Sequence, residues 1–263
     1  MSRMLLGAAV ALILLFNLLP LLVVVPASLG RAPFLSFPPT GGLGLDWYVR
    51  ALATPEWRET AAFSALLAAC VAAVSVSVCF AAALVLTRQR MRGAAAIEAF
   101  LLSPLLLPHA ATALVLFWLI DRLGARGTVA GIAVAHVILC LPFAYRPIAI
   151  ALRHADRAEE DAAAILGASP WRVFVEIVLP AARPALLTAF MFTLLLSFDE
   201  VTVTVFLVSI DRVTLPVAIL QAAQDDASPL LAAVATLLIG FTVVALALVQ
   251  RLAGLRAWSA ALR

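Results

Sequence analysis

Two adjacent carboxylates, Asp199 and Glu200, stand inside a long apolar run of this chain. Burying an ionised carboxylate in hydrocarbon costs about 2.5–3.5 kcal/mol on insertion scales, so such groups usually face a bundle interior or a water-filled path. Thr193, Ser197, Glu200 and Thr204 recur at 4-3-4 spacing. On a continuous helix that spacing aligns them on one face. A stripe of hydroxyls and one carboxylate has the chemistry to pass a cationic solute, with Glu200 lining the path. Asp199 points about 100° away and is left to pair with a basic group on another helix or subunit. The alternative is that both acids are structural, hydrogen-bonded across a helix interface. Counted from Pro184 at about 1.5 Å per residue, Asp199 lies roughly 22 Å along its span, past the midplane.

A second group of residues has the chemistry of a stiff joint. Arg153 to Leu166 reads as a helix ended by Gly167, the residue best suited to a left-handed cap. Ser169 fits an N-cap with Pro170 at the first helical position, where its missing N–H costs nothing. A second short helix then runs to about Val178, carrying Arg172 and Glu176 as an i,i+4 pair. Pro180 is expected to stop it and Pro184 to open the next apolar run. A capped elbow transmits force where a floppy linker would not; the plainer reading is an ordinary connecting loop with good caps.

The elements that position these groups follow from composition. The chain is 65% hydrophobic and 13% charged, with a mean hydropathy of +1.10. A soluble domain carries about 25% charged residues. Six stretches reach the length of about 20 apolar residues that a membrane helix needs: roughly 4–25, 61–86, 98–120, 129–150, 184–208 and 230–252. Unpaired backbone is costly in lipid, so the fold class is all-α, a polytopic helical bundle of six transmembrane helices. The first run lacks a clean cleavage site and reads as a retained helix rather than a signal peptide. Pro20, Pro104 and Pro108 mark places where spans can bend.

All 18 basic residues are arginine. Without a lysine the chain cannot form the phosphate-gripping loop G-x-x-x-x-G-K-[ST], so any ATP hydrolysis belongs to a partner. With the N-terminus inside, twelve arginines fall on the cytoplasmic side and six outside. That bias places residues 151–183 and both termini in the cytoplasm. Cys70, Cys79 and Cys140 read as small apolar fillers. His109, His136 and His154 are scattered, and a lone intramembrane histidine is more often hydrogen-bonded to a neighbouring helix than a proton relay. No pattern indicates a metal, a cofactor, a nucleic-acid surface or an enzyme's catalytic constellation. In the outer segment 26–60, Pro38-Pro39-Thr40-Gly41-Gly42 is a turn. A short helix from Asp46 to Leu52 follows, with Asp46 as N-cap and Trp47 and Tyr48 as interfacial aromatics.

Asp161-Ala162-Ala163, three residues, Gly167, nine residues, Ile177, one residue and Leu179-Pro180 resemble the cytoplasmic "EAA" loop of ABC importer permeases. Only the first acid departs, aspartate for glutamate, which leaves Glu160 and Asp161 as alternatives for the acidic contact. Ser197-Phe198-Asp199-Glu200-Val201, Phe206-Leu207 and Thr214-Leu215-Pro216 resemble the spermidine/putrescine-type subfamily, as do Phe37-Pro38-Pro39, Trp47-Tyr48 and Ser64. The resemblance covers roughly residues 35–240. It implies a single MetI-like transmembrane domain over 1–263, with a core of about 61–252 and a coupling loop at 151–183. It also implies a multi-pass protein of the bacterial inner membrane, two copies of a separate ATPase, an extracytoplasmic solute-binding protein and a second, non-identical permease. The ATPase contact falls to Glu160, Asp161, Ala162, Ala163, Gly167, Ile177, Leu179 and Pro180. The path falls to Asp199, Glu200, Ser197, Thr193 and Thr204. The solute implied is a polyamine or related amine, with aminoalkylphosphonates and opines also carried in the group. The rival reading is a secondary transporter driven by an ion gradient through Asp199 and Glu200.

Overall fold

The computed structural model describes residues 2–89, 91–209, 212–225 and 228–252. Of the arginines counted for orientation, Arg90, Arg256 and Arg263 lie outside the described residues. Twelve α-helices run along the described chain, with no strand beyond two isolated bridges. Among the described residues, five helical stretches are long and apolar enough to cross a membrane: Leu5–Ser28, Pro55–Arg88, Val129–His154, Pro170–Phe198 and Pro229–Leu248. A sixth span forms only as a broken pair, Ala94–Leu106 with His109–Arg122, bent by 113°.

The helices pack into two compact units, residues 1–61 with 217–241 and residues 62–216 with the remainder. In the first, α1 (Ser2–Ser28) leads to a loop closed by the Gly30–Leu43 bridge and turned at Gly41 and Gly42, and then to α2 (Asp46–Ala53). Asp46 is not the N-cap expected of it. The helix starts at Asp46 itself, with Leu45 before it and no side-chain cap, and the Asp46 carboxylate takes Arg31 Nε at 2.9 Å instead. Trp47 and Tyr48 are half-buried and tied to this loop. Trp47 Nε1 donates to the Gly30 carbonyl at 2.9 Å, and Tyr48 OH lies 2.5 Å from Ser28 Oγ.

The second unit contains most of α3 (Pro55–Arg88), then α4 (Ala94–Leu102), α5 (His109–Arg122) and α6 (Val129–His154). It continues with α7 (Arg157–Ile165), α8 (Pro170–Val173), α9 (Leu179–Phe198) and the four-residue α10 (Thr204–Leu207). Helices α11 (Leu215–Asp225) and α12 (Pro229–Leu252) complete the described residues, with 217–241 belonging to the first unit. Helix α6 lies at the centre of the second unit. Its inward face carries Ala135, Leu139, Ala144, Tyr145, Ile148 and Leu152, all at most 6% exposed. Alanines at the contacts, Ala83 of α3 and Ala182 and Ala189 of α9, let backbones approach closely. Lipid gives helices no hydrophobic drive to associate, so close packing of small residues holds such bundles.

Three local expectations are corrected. The third span, read as one helix over 98–120, breaks after a 3₁₀ turn at Ser103–Leu106. A residue before proline is driven out of the α region, and Leu107 accordingly adopts φ −101°, ψ 144° ahead of Pro108. The helix expected over Arg153–Leu166 is two helices, α6 ending at His154 and α7 starting afresh with Asp156 as its cap. The fifth span, read over 184–208, starts earlier and ends earlier. Pro180 does not stop the second helix and Pro184 does not open a new one. Helix α8 runs through one π turn (Phe174–Val178) into α9. In that turn the Leu179 N–H reaches back five residues to the Phe174 carbonyl. The wider turn makes room for the Pro180 ring, which in a regular helix would strike the carbonyl four residues back. At the other end, α9 stops at Phe198. The β-branched run Val201–Val205 that follows is a poor helix former.

Candidate functional site

The elbow is built as its cap residues dictate. Asp156 accepts from the Ala158 N–H at 2.9 Å and starts α7, with Glu159 and Glu160 in the first turn, where the helix dipole favours them. Gly167 takes φ +86°. Its N–H reaches the Ala164 carbonyl, and the Ala168 N–H reaches the Ala163 carbonyl, both at 3.0 Å. These are the two bonds of a Schellman cap. Ser169 then accepts from the Arg172 N–H at 3.3 Å and opens α8 at Pro170. Arg172 Nε meets both Glu176 oxygens at 3.0 and 3.1 Å, in the open, where such a pair contributes a few tenths of a kcal/mol.

The outer surface of the elbow is apolar. Ile165 and Leu166 are 86% and 87% exposed, and Trp171 is 71% exposed while stacked on Phe174 at 5.5 Å. Of the two alternative acids, Glu160 is engaged within the chain. Its carboxylate lies 2.5 Å from Arg88 Nη2 at the end of α3. Asp161 and Ala162 are exposed, Ala163 is half-buried, and Ile177 and Leu179 are half-buried beside exposed Pro180. Arginines fasten the elbow to the bundle. Arg157 of α7 donates to the Thr87 carbonyl at the end of α3, while Arg153 of α6 holds α4 through Glu98 at 2.7 Å. A groove of about 580 Å³ remains between the end of α3 and the elbow, lined by Arg88, Glu160, Asp161, Pro170 and Phe174 among others. Sequence reasoning missed these long-range arginine contacts, since nothing local pairs Arg88 with Glu160 or Arg153 with Glu98.

The polar stripe is not one helix face, because α9 ends before it is complete. Thr193, Ser197, Glu200 and Thr204 are nevertheless all buried, from 0 to 6% exposed. His136, fully buried on α6, joins them. Its Nδ1 lies 2.8 Å from Ser197 Oγ and its Nε2 lies 2.8 Å from Thr204 Oγ1. The Thr204 hydroxyl donates its single proton to the Glu200 carbonyl at 2.9 Å. Thr204 Oγ1 is therefore the acceptor from His136 Nε2–H, while Nδ1 and the Ser197 hydroxyl share the second bond. Both ring nitrogens are thereby hydrogen-bonded, the interhelical role expected of a lone histidine. The Thr193 hydroxyl has no hydrogen-bond partner among the described residues.

Glu200 itself is folded inward. Oε1 accepts the Val203 N–H at 2.8 Å and Oε2 lies 3.0 Å from His109 Nε2. Asp199, the C-cap of α9, is exposed. Cys79 and Cys140 are buried, as expected of fillers, while Cys70 is exposed.

Helices with a broken third span, a capped elbow and a polar break near the end of the fifth invite comparison with known proteins. The family model described as "binding-protein-dependent transport system inner membrane component" matches residues 80–255. The chain belongs to that family. It is thus a permease component of a binding-protein-dependent ABC importer, a multi-pass inner-membrane transport subunit rather than an enzyme. The putrescine transport system permease protein PotI of Escherichia coli is 31% identical over 207 residues, covering 76% of this chain and 73% of its own. The spermidine/putrescine transport system permease protein PotC of Haemophilus influenzae is 29% identical over 208 residues, covering 79% and 80%. In fold, the permease is similar to a chain of a bacterial ABC transporter involved in the import of the acidic polysaccharide alginate. That likeness has a TM-score of 0.70 at 16% identity and covers 95% of this chain and 97% of that one.

Proposed function

We propose that this permease couples to a separate ATPase through the elbow at 156–180 and passes a small cationic solute of the polyamine class. The supporting observation is the elbow: two capped helices fastened to the bundle by arginines, with Ile165, Leu166 and Trp171 presented beside exposed Asp161 and Ala162. Such a surface gives a second protein both apolar anchors and an acidic contact. Asp161 is the acid that meets the ATPase, since Glu160 is held by Arg88. The elbow faces the cytoplasm, as the arginine bias requires. Two ATPase copies, a non-identical second permease and an extracytoplasmic binding protein complete the importer.

The solute class rests on the relatives' names together with the carboxylates. Asp199 is exposed at the break after α9 and is the group that meets an ammonium directly. Glu200, buried beneath it with Ser197, Thr193 and Thr204, shapes the break. The test is uptake of labelled putrescine by the assembled importer carrying Asp199→Ala with Glu200→Ala, at equal expression. Uptake is expected to fall at least tenfold; an undiminished rate overturns the assignment of these carboxylates to the path.

A further inference from the structure

Helix α3 is 34 residues long, has no glycine, and holds its only proline at its first position. Sharp bends in helices arise at proline, at glycine or at inserted turns, so α3 is a stiff rod. At about 1.5 Å per residue, its portion from Ser64 to Arg88 spans roughly 36 Å. One end of that portion stands at the polar break. Leu67 and Val71 are buried in one cluster with Val203 and Leu207, and Ser64 Oγ accepts the Leu215 N–H at 2.7 Å. The other end lies in the angle of the elbow. Phe80, Leu84 and Arg88 recur at i,i+4 and share one face of α3. The Phe80 ring meets that of Phe174 at 6.0 Å between centroids, and Leu84 and Arg88 line the groove of about 580 Å³.

Helix α7 contributes no buried residue, so burial does not hold this half of the elbow. Two polar contacts tie it to the end of α3. Arg157 donates to the Thr87 carbonyl. Arg88 Nη2 lies 2.5 Å from Glu160 Oε1, a contact of charges rather than an aligned hydrogen bond. Arg157 and Glu160 are three residues apart on α7 and so project to one side. The Thr87 carbonyl is one of the last four of α3, and the Met91 N–H, four residues on, turns to Gln89 at 3.1 Å instead. A cation in the first turn of α7 opposes that helix's own dipole but suits the C-terminus of α3. The side chains of Arg88 and Glu160 are only 17% and 19% exposed, withdrawn from the screening that weakens surface pairs.

We infer that Arg88 is a positioning residue for coupling: with Glu160 and the Arg157–Thr87 bond it clasps the elbow to α3, and α3 carries the elbow's displacement to the break that holds Asp199 and Glu200. The inference rests on the readings of the elbow as the ATPase's contact and of the break as part of the path. It gives Glu160 a role inside the chain. Without the clasp the ATPase still meets Ile165, Leu166 and Trp171, but α7 shifts without drawing α3 after it.

The experiment uses proteoliposomes holding the complete importer. Stimulation of ATP hydrolysis by added binding protein is read, because that signal crosses the permease from the outer face to the ATPase whichever solute is carried. Arg88→Ala and Glu160→Gln are each expected to lower the stimulation about fivefold while the ATPase stays on the purified complex. The double variant should lose no more than either single one, and Arg88→Lys should keep most of the wild-type value. A merely structural defect would add between the two sites and would not follow the charge. Glu160→Gln is nearly isosteric and decides the matter alone should Arg88→Ala fail to assemble. Leu166→Asp, on the exposed anchor, probes the underlying reading in the same vesicles. Stimulation lost in Leu166→Asp but kept in Arg88→Ala and Glu160→Gln overturns the clasp alone. Stimulation kept in all three overturns the elbow reading together with it.

Discussion

Gly167→Val is expected to abolish coupled uptake, by tenfold or more, while the bundle stays folded. At φ +86° the glycine sits where a β-branched L-residue is strained. The strain is purely backbone, since a Cβ built there meets nothing within 4 Å. Visiting the left-handed region costs an L-residue about 1–2 kcal/mol. The chain relieves it by giving up the two Schellman bonds to Ala163 and Ala164. Losing those bonds redirects α8 relative to α7 and loosens the joint through which the ATPase would act. Gly167→Asn, which tolerates the left-handed region, is expected to retain a substantial part of the wild-type rate. Uptake and ATP hydrolysis measured together, with the thermal midpoint of the purified complex as the control for folding, check this. A valine variant with wild-type coupling contradicts the elbow mechanism.

His136→Ala is expected to have the largest effect on stability. The ring is fully buried and joins α6 to Ser197 at the end of α9 and to Thr204 of α10. Within a membrane bundle each interhelical hydrogen bond contributes about 1 kcal/mol, because the freed hydroxyls find local partners. The cavity left by the ring adds about 2 kcal/mol, the low end for large-to-alanine changes. The sum, about 4 kcal/mol, is a large fraction of a typical folding free energy. Denaturant or thermal unfolding in detergent should show the loss, accompanied by reduced membrane abundance. A shift of less than about 1 kcal/mol would mean the network carries little of the packing between α6 and α9.

What was legible in the sequence was what is local. Gly167, Ser169 and Pro170 act on backbone groups within a few residues, so their caps were readable and formed as read. Hydropathy located the apolar stretches for the same reason. The breaks were harder because proline does not act alone. Pro108 ends a helix, whereas Pro180 and Pro184 sit inside one, and a π turn lets the helix pass Pro180. No periodicity announces that turn. The end of α9 had a signal, the β-branched run Val201–Val205, which the 4-3-4 spacing of hydroxyls obscured. The contacts of His109 with Glu200, Arg88 with Glu160 and Arg153 with Glu98 join segments far apart in the chain. Only the packing of whole helices brings them together.

The central claim, a permease driven by a separate ATPase, is tested most directly by uptake in vesicles that contain this chain with and without its ATPase and second permease. The account predicts solute entry only in the complete set, with added binding protein, and its arrest by vanadate. Vanadate-insensitive entry through this chain alone, following an imposed ion gradient, would contradict it.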